Sequence, residues 1–201
     1  MAFPVSPSRI VIGGFSGGSR VALDIALHWP DKFSNAFLNA GSDPIGQAGE
    51  PLPTAELFSS FREHSRLAYV TGELDDGSQS LDDASLASMR HWCVPNVSLE
   101  RERSKGHDYA VADALDRALQ RLFSGRTEVP AQQCIAARQA DVSTAFANVE
   151  KALNEGRKQD ARKMLIVIDR GFGALAAPRS IELADRCSCD LLGRPLPAEK
   201  H

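Results

Sequence analysis

Ile12-Gly13-Gly14-Phe15-Ser16-Gly17-Gly18-Ser19-Arg20 contains the pattern Gly14-x-Ser16-x-Gly18, and it directly follows the apolar run Arg9-Ile10-Val11-Ile12-Gly13. A short β-branched run bounded by Pro7 and a glycine cluster suits a buried strand. Gly18 to Trp29 reads as a helix stopped by Pro30, so the pattern sits on a strand-to-helix turn. A turn of this kind strains the backbone of its serine, and side chains two residues away would collide with neighbouring elements. Glycines are therefore expected on both sides. The Ser16 hydroxyl would project above the strand ends, and the helix N-terminus would aim backbone N–H groups at the same point. A dinucleotide site needs G-x-G-x-x-G plus a later acidic residue. Gly13, Gly14, Gly17 and Gly18 do not give that spacing, and a P-loop lysine is missing.

Downstream of this turn, short β-branched runs alternate with helical stretches. Asn35 to Asn39 reads as a second strand ending at Gly41, and Arg66 to Thr71 as a third ending at Gly72. Between them Pro44, Pro51 and Pro53 predict a surface path before a helix around Leu57 to Arg62. Ser80 to Cys93 reads as a helix with Asp82 and Asp83 in its first turn, where the helix dipole favours anions. Val97 to Arg101 is a fourth strand. Tyr109 to Phe123 is a helix with Val111, Leu115, Ala118, Leu119 and Leu122 on one face. The alternation predicts an α/β fold: a short, mostly parallel sheet of about four strands flanked by helices.

After Ser124-Gly125-Arg126 the strand signal disappears. Ala131 to Glu155 has Ile135, Val142, Phe146, Val149 and Leu153 at helical spacing, and Gly156 is placed to end that helix. Arg157 to Leu175 reads as a second helix, and Pro178 and Ser180 open a third running to about Leu192. The expected organisation is an α/β domain over residues 1–124 and a small all-α extension over residues 131–201.

A serine hydroxyl is a poor nucleophile until a base takes its proton, so the turn at Ser16 predicts a histidine oriented by a carboxylate. Both follow in the order serine, acid, histidine. Thr71-Gly72-Glu73-Leu74-Asp75 closes the third strand, and Lys105-Gly106-His107-Asp108 follows the fourth. Ser16, Asp75 and His107 would thus leave three parallel strands at one sheet edge. Glu73 and Asp76 remain alternatives to Asp75, and Asp108 is expected to face solvent or cap the next helix. His28, His64 and His91 lie in or beside helices and read as structural, and His201 is the last residue.

With these motifs in place, residues 8 to about 124 resemble the C-terminal half of an α/β-hydrolase, similar to small serine esterases and polyester-depolymerase-like members. The resemblance rests on Gly14-x-Ser16-x-Gly18, on Gly72-x-x-Asp75 and on Gly106-His107. It implies Ser16 as nucleophile, His107 as general base, Asp75 as its orienting acid and the Gly17 N–H as an oxyanion donor. The implied reaction is hydrolysis of a small acyl ester or thioester through an acyl-serine intermediate, without cofactor or metal. It also implies strands and helices before the elbow, including a second oxyanion donor, that this chain does not contain. The expectation is therefore an N-terminally truncated hydrolase whose first strand is an unpaired apolar edge prone to self-association. The alternative is an inactive remnant whose helical tail mediates protein contacts.

Composition narrows the remaining classes. The chain has 201 residues, 43% hydrophobic and 24% charged, which is ordinary for a globular protein. A net charge of −3 argues against nucleic-acid binding through a basic face. No apolar run reaches the roughly 20 residues of a membrane span. Met1 to Val5 is not a secretory signal; the default location is cytoplasmic, although a signal could lie upstream. Cys187-x-Cys189 lacks a second ligand pair for zinc. A bridge from Cys134 to Cys187 or Cys189 is conceivable in an oxidising compartment, with unpaired thiols the simpler expectation.

Overall fold

The computed structural model describes residues 9–47, 49–124 and 128–189. By internal packing the chain forms two units. The first comprises Met1–Ile45 and Glu56–Ile135, the second Gly46–Ala55 and Ala136–His201.

The first unit is built on four strands: β1 (Val11–Phe15), β2 (Asn35–Asn39), β3 (Arg66–Gly72) and β4 (Val97–Glu102). They pair in parallel in chain order, β1-β2-β3-β4, with Val11 opposite Asn35, Asn35 opposite Arg66 and Leu67 opposite Val97. Between them run α1 (Gly17–His28), α2 (Ala55–His64) and α3 (Asp76–His91), and α4 (Ala112–Ser124) follows β4. Parallel strands need such crossovers, because a hairpin would reverse the chain. The α/β class and four-stranded parallel sheet expected from the sequence are present.

Burial follows position in the sheet. From Leu67 onward β3 is buried without interruption, as befits an inner parallel strand covered on both faces. One face packs Ala68 and Val70 against Ala114, Ala118 and Leu122 of α4, with Val11 and Phe37 alongside. The Tyr69 side chain points to the other face, and its hydroxyl meets Ser85 Oγ of α3 at 2.9 Å. Leu23 and Leu27 of α1 and Phe58 and Phe61 of α2 are fully buried. Phe58 makes an edge contact with Trp92 at 6.0 Å.

Several local readings need correction. The first strand runs two residues further than expected, through both glycines to Phe15. Strand pairing with Leu38 and Asn39 outweighs the low strand propensity of glycine. The third helix begins at Asp76, because Asp75 caps it by accepting the Ser78 N–H at 3.2 Å. Asp82 and Asp83 therefore lie beyond the first turn, and Asp82 is fully buried. On α4 the buried face is Ala114, Ala118 and Leu122, whereas Leu115 is exposed, as is Val111 just before the helix. The sulfurs also differ from expectation: Cys93 is bridged to Cys134 with a Cα separation of 5.9 Å, Cys187 contacts Cys189, and no described cysteine is free.

The second unit contains most of α5 (Gln132–Asn154), then α6 (Lys158–Phe172), a 3-10 turn (Gly173–Ala176) and α7 (Arg179–Cys187). Phe146, Val149 and Ala152 pack with Leu165, Ile168, Leu183 and Ala184 in one core. Gly156 ends α5 at a φ of 74°, and the Arg157 N–H closes the turn on the Ala152 carbonyl at 2.8 Å. The Ala174 N–H donates to the Leu52 carbonyl at 2.9 Å, which ties the segment Gly46–Ala55 to this unit. The expected third helix stops at Cys187. Its predicted continuation to Leu192 and the residues 125–127 at the expected domain boundary lie outside the described residues, as does His201. Among the described residues, no helix is long and apolar enough to cross a membrane.

Candidate active site

The turn between β1 and α1 is tight. Ser16 has φ 54° and ψ −119°, a conformation side-chain-bearing residues seldom adopt, held by its N–H to the Asn39 carbonyl at 2.8 Å. The Ser19 N–H closes on the Ser16 carbonyl at 3.0 Å. A Cβ on Gly14 would lie 2.1 Å from the Gly18 carbonyl oxygen, so no other residue fits there. A Cβ on Gly17 or Gly18 would meet nothing within 4 Å. The expectation that both flanking glycines are sterically required therefore holds at Gly14 only.

A second tight approach aligns the ends of β3 and β4. The Glu73 N–H donates to the Glu102 carbonyl at 2.8 Å and the Leu74 N–H to the Lys105 carbonyl at 2.7 Å, prolonging the pairing past the strands. A Cβ on Gly72 would sit 2.3 Å from the Gly106 oxygen and 2.4 Å from the Lys105 oxygen. This glycine lets the Lys105-Gly106 turn press against β3 and deliver His107 to the start of α3.

The consequence is a continuous polar chain across three strand ends. His107 Nε2 lies 3.1 Å from Ser16 Oγ, and His107 Nδ1 lies 2.7 Å from Asp75 Oδ2. The His107 side chain is about half exposed and that of Asp75 is 10% exposed, so the carboxylate is shielded while the ring edge faces solvent. Burial works to raise the Asp75 pKa, but hydrogen bonds from Ser78 and His107 outweigh it and hold the carboxyl below the usual aspartate value. With Asp75 ionised, Nδ1–H donates to it, and Nε2 is left to accept the Ser16 proton. Beside this chain, the Phe15 ring lies 4.9 Å from the His107 ring and 4.3 Å from that of Tyr109.

The alternatives to Asp75 are placed elsewhere. Glu73 is exposed, and its carboxylate accepts the Ser104 N–H at 3.4 Å. Asp76 is exposed on the first turn of α3. Asp108 accepts the Tyr109 N–H at 2.7 Å and pairs with Lys105 at 3.5 Å. His28, His64 and His91 are each the last residue of a helix. Gly17 is the first residue of α1, where a backbone N–H has no intrahelical acceptor.

Three polar residues escaped sequence reading. Asn39, 2% exposed, donates to the Val70 carbonyl at 2.8 Å and accepts the Ala110 N–H at 2.9 Å, linking the Ser16 turn to the segment after His107. Ser78 approaches both Asp75 and His107. Asp82 accepts the Ser42 N–H at 3.1 Å and the Thr71 hydroxyl, with Arg101 at 3.4 Å; burial pushes its pKa up to about 6 against these partners. Asparagine at a strand end is the one local signal among them. Cavities of about 170 and 610 Å³ open at the opposite end of the strands, around Arg66 and Asn96 and around Arg9 and Asn35.

No protein-family description matches the chain, and no curated protein does. Similar solved structures include a PHB depolymerase complexed with an R3HB trimer, at 14% identity and a TM-score of 0.46, covering 61% of this chain and 54% of that one. They also include an S-formylglutathione hydrolase from Staphylococcus aureus in its apo form, at 21% identity and a TM-score of 0.43, covering 61% and 55%. The chain thus spans about half the length of these solved chains.

Proposed function

We propose that the first unit is the catalytic part of a serine hydrolase acting on a small acyl ester or thioester. The observation that carries this reading is the polar chain Asp75–His107–Ser16, at 2.7 and 3.1 Å, ending on a serine held at a φ of 54°. His107 Nε2 takes the Ser16 proton as Oγ attacks the carbonyl carbon, and Asp75 stabilises the resulting imidazolium. The tetrahedral oxyanion is stabilised by the Gly17 N–H at the N-terminus of α1. Collapse expels the alcohol or thiol with the proton from His107, leaving an acyl-Ser16 ester. A water activated by His107 then releases the acid and restores the serine.

Among the described residues β1 is paired along one edge only, by β2. A segment pairing along the other edge of β1 would be placed to bring a second oxyanion donor, and one such donor is worth roughly 100–1,000-fold in turnover. An uncovered edge of this kind favours self-association.

A fluorophosphonate probe tests the reading, because it reacts covalently only with an activated serine. Labelling of the folded protein that is abolished by Ser16→Ala is expected. Absence of labelling on folded protein would overturn the proposal in favour of an inactive remnant.

A further inference from the structure

We propose that Ser78 is a positioning residue for this site, its backbone N–H held on the Asp75 carboxylate and its buried hydroxyl set against the His107 ring. The inference rests on the reading above and extends it to a residue outside the expected serine, histidine and acid. Ser78 is the third residue of α3 and only 6% exposed. Its backbone N–H donates to Asp75 Oδ1 at 3.2 Å, and its Oγ lies 3.2 Å from His107 Nδ1. That nitrogen is the one 2.7 Å from Asp75 Oδ2, so Ser78 touches both members of the pair, the carboxylate through its backbone N–H and the ring through its hydroxyl.

The hydroxyl has one consistent orientation. When Nδ1 carries its hydrogen, Ser78 Oγ accepts a share of that N–H and its own O–H is left to donate to Asp75. A bare Nδ1 would set its lone pair against the carboxylate at hydrogen-bond distance, which is repulsive. Asp75 therefore sets the tautomer that frees Nε2 for Ser16, and the Ser78 hydroxyl, left to accept from Nδ1–H, is among the groups holding the Asp75 pKa down.

The surroundings keep Ser78 in place. Gly41 stands behind it at a φ of +100°, and a Cβ there would touch both Cβ and Oγ of Ser78 at 3.3 Å. One turn further along α3, buried Asp82 holds the Ser42 N–H at 3.1 Å, anchoring the helix to the segment after β2. His107, by contrast, sits half exposed on a loop. A ring so placed gains a second contact from a helix anchored through Asp82.

The test compares Ser78→Ala and Ser78→Thr in the full chain. Alanine removes one oxygen, adds no volume and favours a helix, so the variant retains the fold. The decisive measurement is the titration of Asp75 by side-chain carboxyl carbon NMR. Its ionisable neighbours are His107 from the loop after β4 and Asp76 on its own helix. Loss of a donor to the carboxylate raises the Asp75 midpoint in Ser78→Ala by about half a pH unit or more, while Ser78→Thr keeps the wild-type value. With a small aryl ester, kcat falls by about tenfold at a KM within about twofold of wild type. An unchanged Asp75 midpoint in Ser78→Ala overturns the proposal, as does an equal shift in both variants. The NMR readings need no turnover, so failure of the serine to label and failure of Ser78 to act are distinguishable.

Discussion

His107 Nε2 lies 3.1 Å from Ser16 Oγ across 91 residues of chain. Two backbone features bring them together: the strained turn after β1, and the close approach of β3 to the Lys105-Gly106 turn. The contact is thus sensitive to changes in backbone geometry as well as to loss of either side chain.

Gly72 is where that geometry is most exposed to test. In Gly72→Ala the new methyl lies 2.3 and 2.4 Å from the carbonyl oxygens of Gly106 and Lys105, so the loop bearing His107 must move. A displacement of about 1 Å is enough to cost roughly 100-fold in rate. Fluorophosphonate labelling slows by about that factor in Gly72→Ala, with a loss of stability of about 1–3 kcal/mol in urea titrations.

Asp75 has two acceptor roles, one to Ser78 and one to His107, and Asp75→Asn alters both. The amide presents a donor toward Nδ1 and favours the wrong tautomer, so turnover falls by about 1,000–10,000-fold with the fold intact. Because the folded Asp75 pKa is depressed, its contribution to stability is present above the unfolded value near 4. It is lost as pH falls through the lower folded value. Acid unfolding of the variant, followed by circular dichroism below about pH 4, is correspondingly shallower.

Asp82 behaves in the opposite sense. Its folded pKa of about 6 lies above the unfolded value near 3.9, so the native state binds the proton more tightly. Stability therefore falls as pH rises from about 4 to about 6, by on the order of 2–3 kcal/mol with the opposing pull of Arg101 already included. Urea denaturation at steps across this window should show the decline in wild type and a flatter line in Asp82→Asn.

The β1 edge makes a prediction about assembly. Its apolar residues Val11, Ile12 and Phe15 lie on a strand paired with β2 alone among the described residues. Sedimentation velocity is expected to show mass rising with concentration, and Ile12→Lys to suppress it by placing a charge on the edge. A concentration-independent monomer would remove the edge from consideration.

The sequence by itself determined the α/β class, the four strands and the order in which Ser16, Asp75 and His107 appear. These are local signals: β-branched runs, glycine stops and a turn pattern whose steric cause lies within five residues. They do not extend to helix boundaries or to buried faces. The start of α3 depends on the Asp75 side chain capping it, and the inward face of α4 on which residues reach Ala68 and Val70. Only tertiary structure placed Asp75 rather than Glu73 or Asp76 against His107. A one-residue step past a strand end rotates the side chain away, and sequence spacing does not resolve that rotation. Ser78, Asn39 and Asp82 were hidden for the same reason. Each is an ordinary polar residue in its own segment, and its partners lie on other elements, so its role exists only once the sheet has brought those strand ends together.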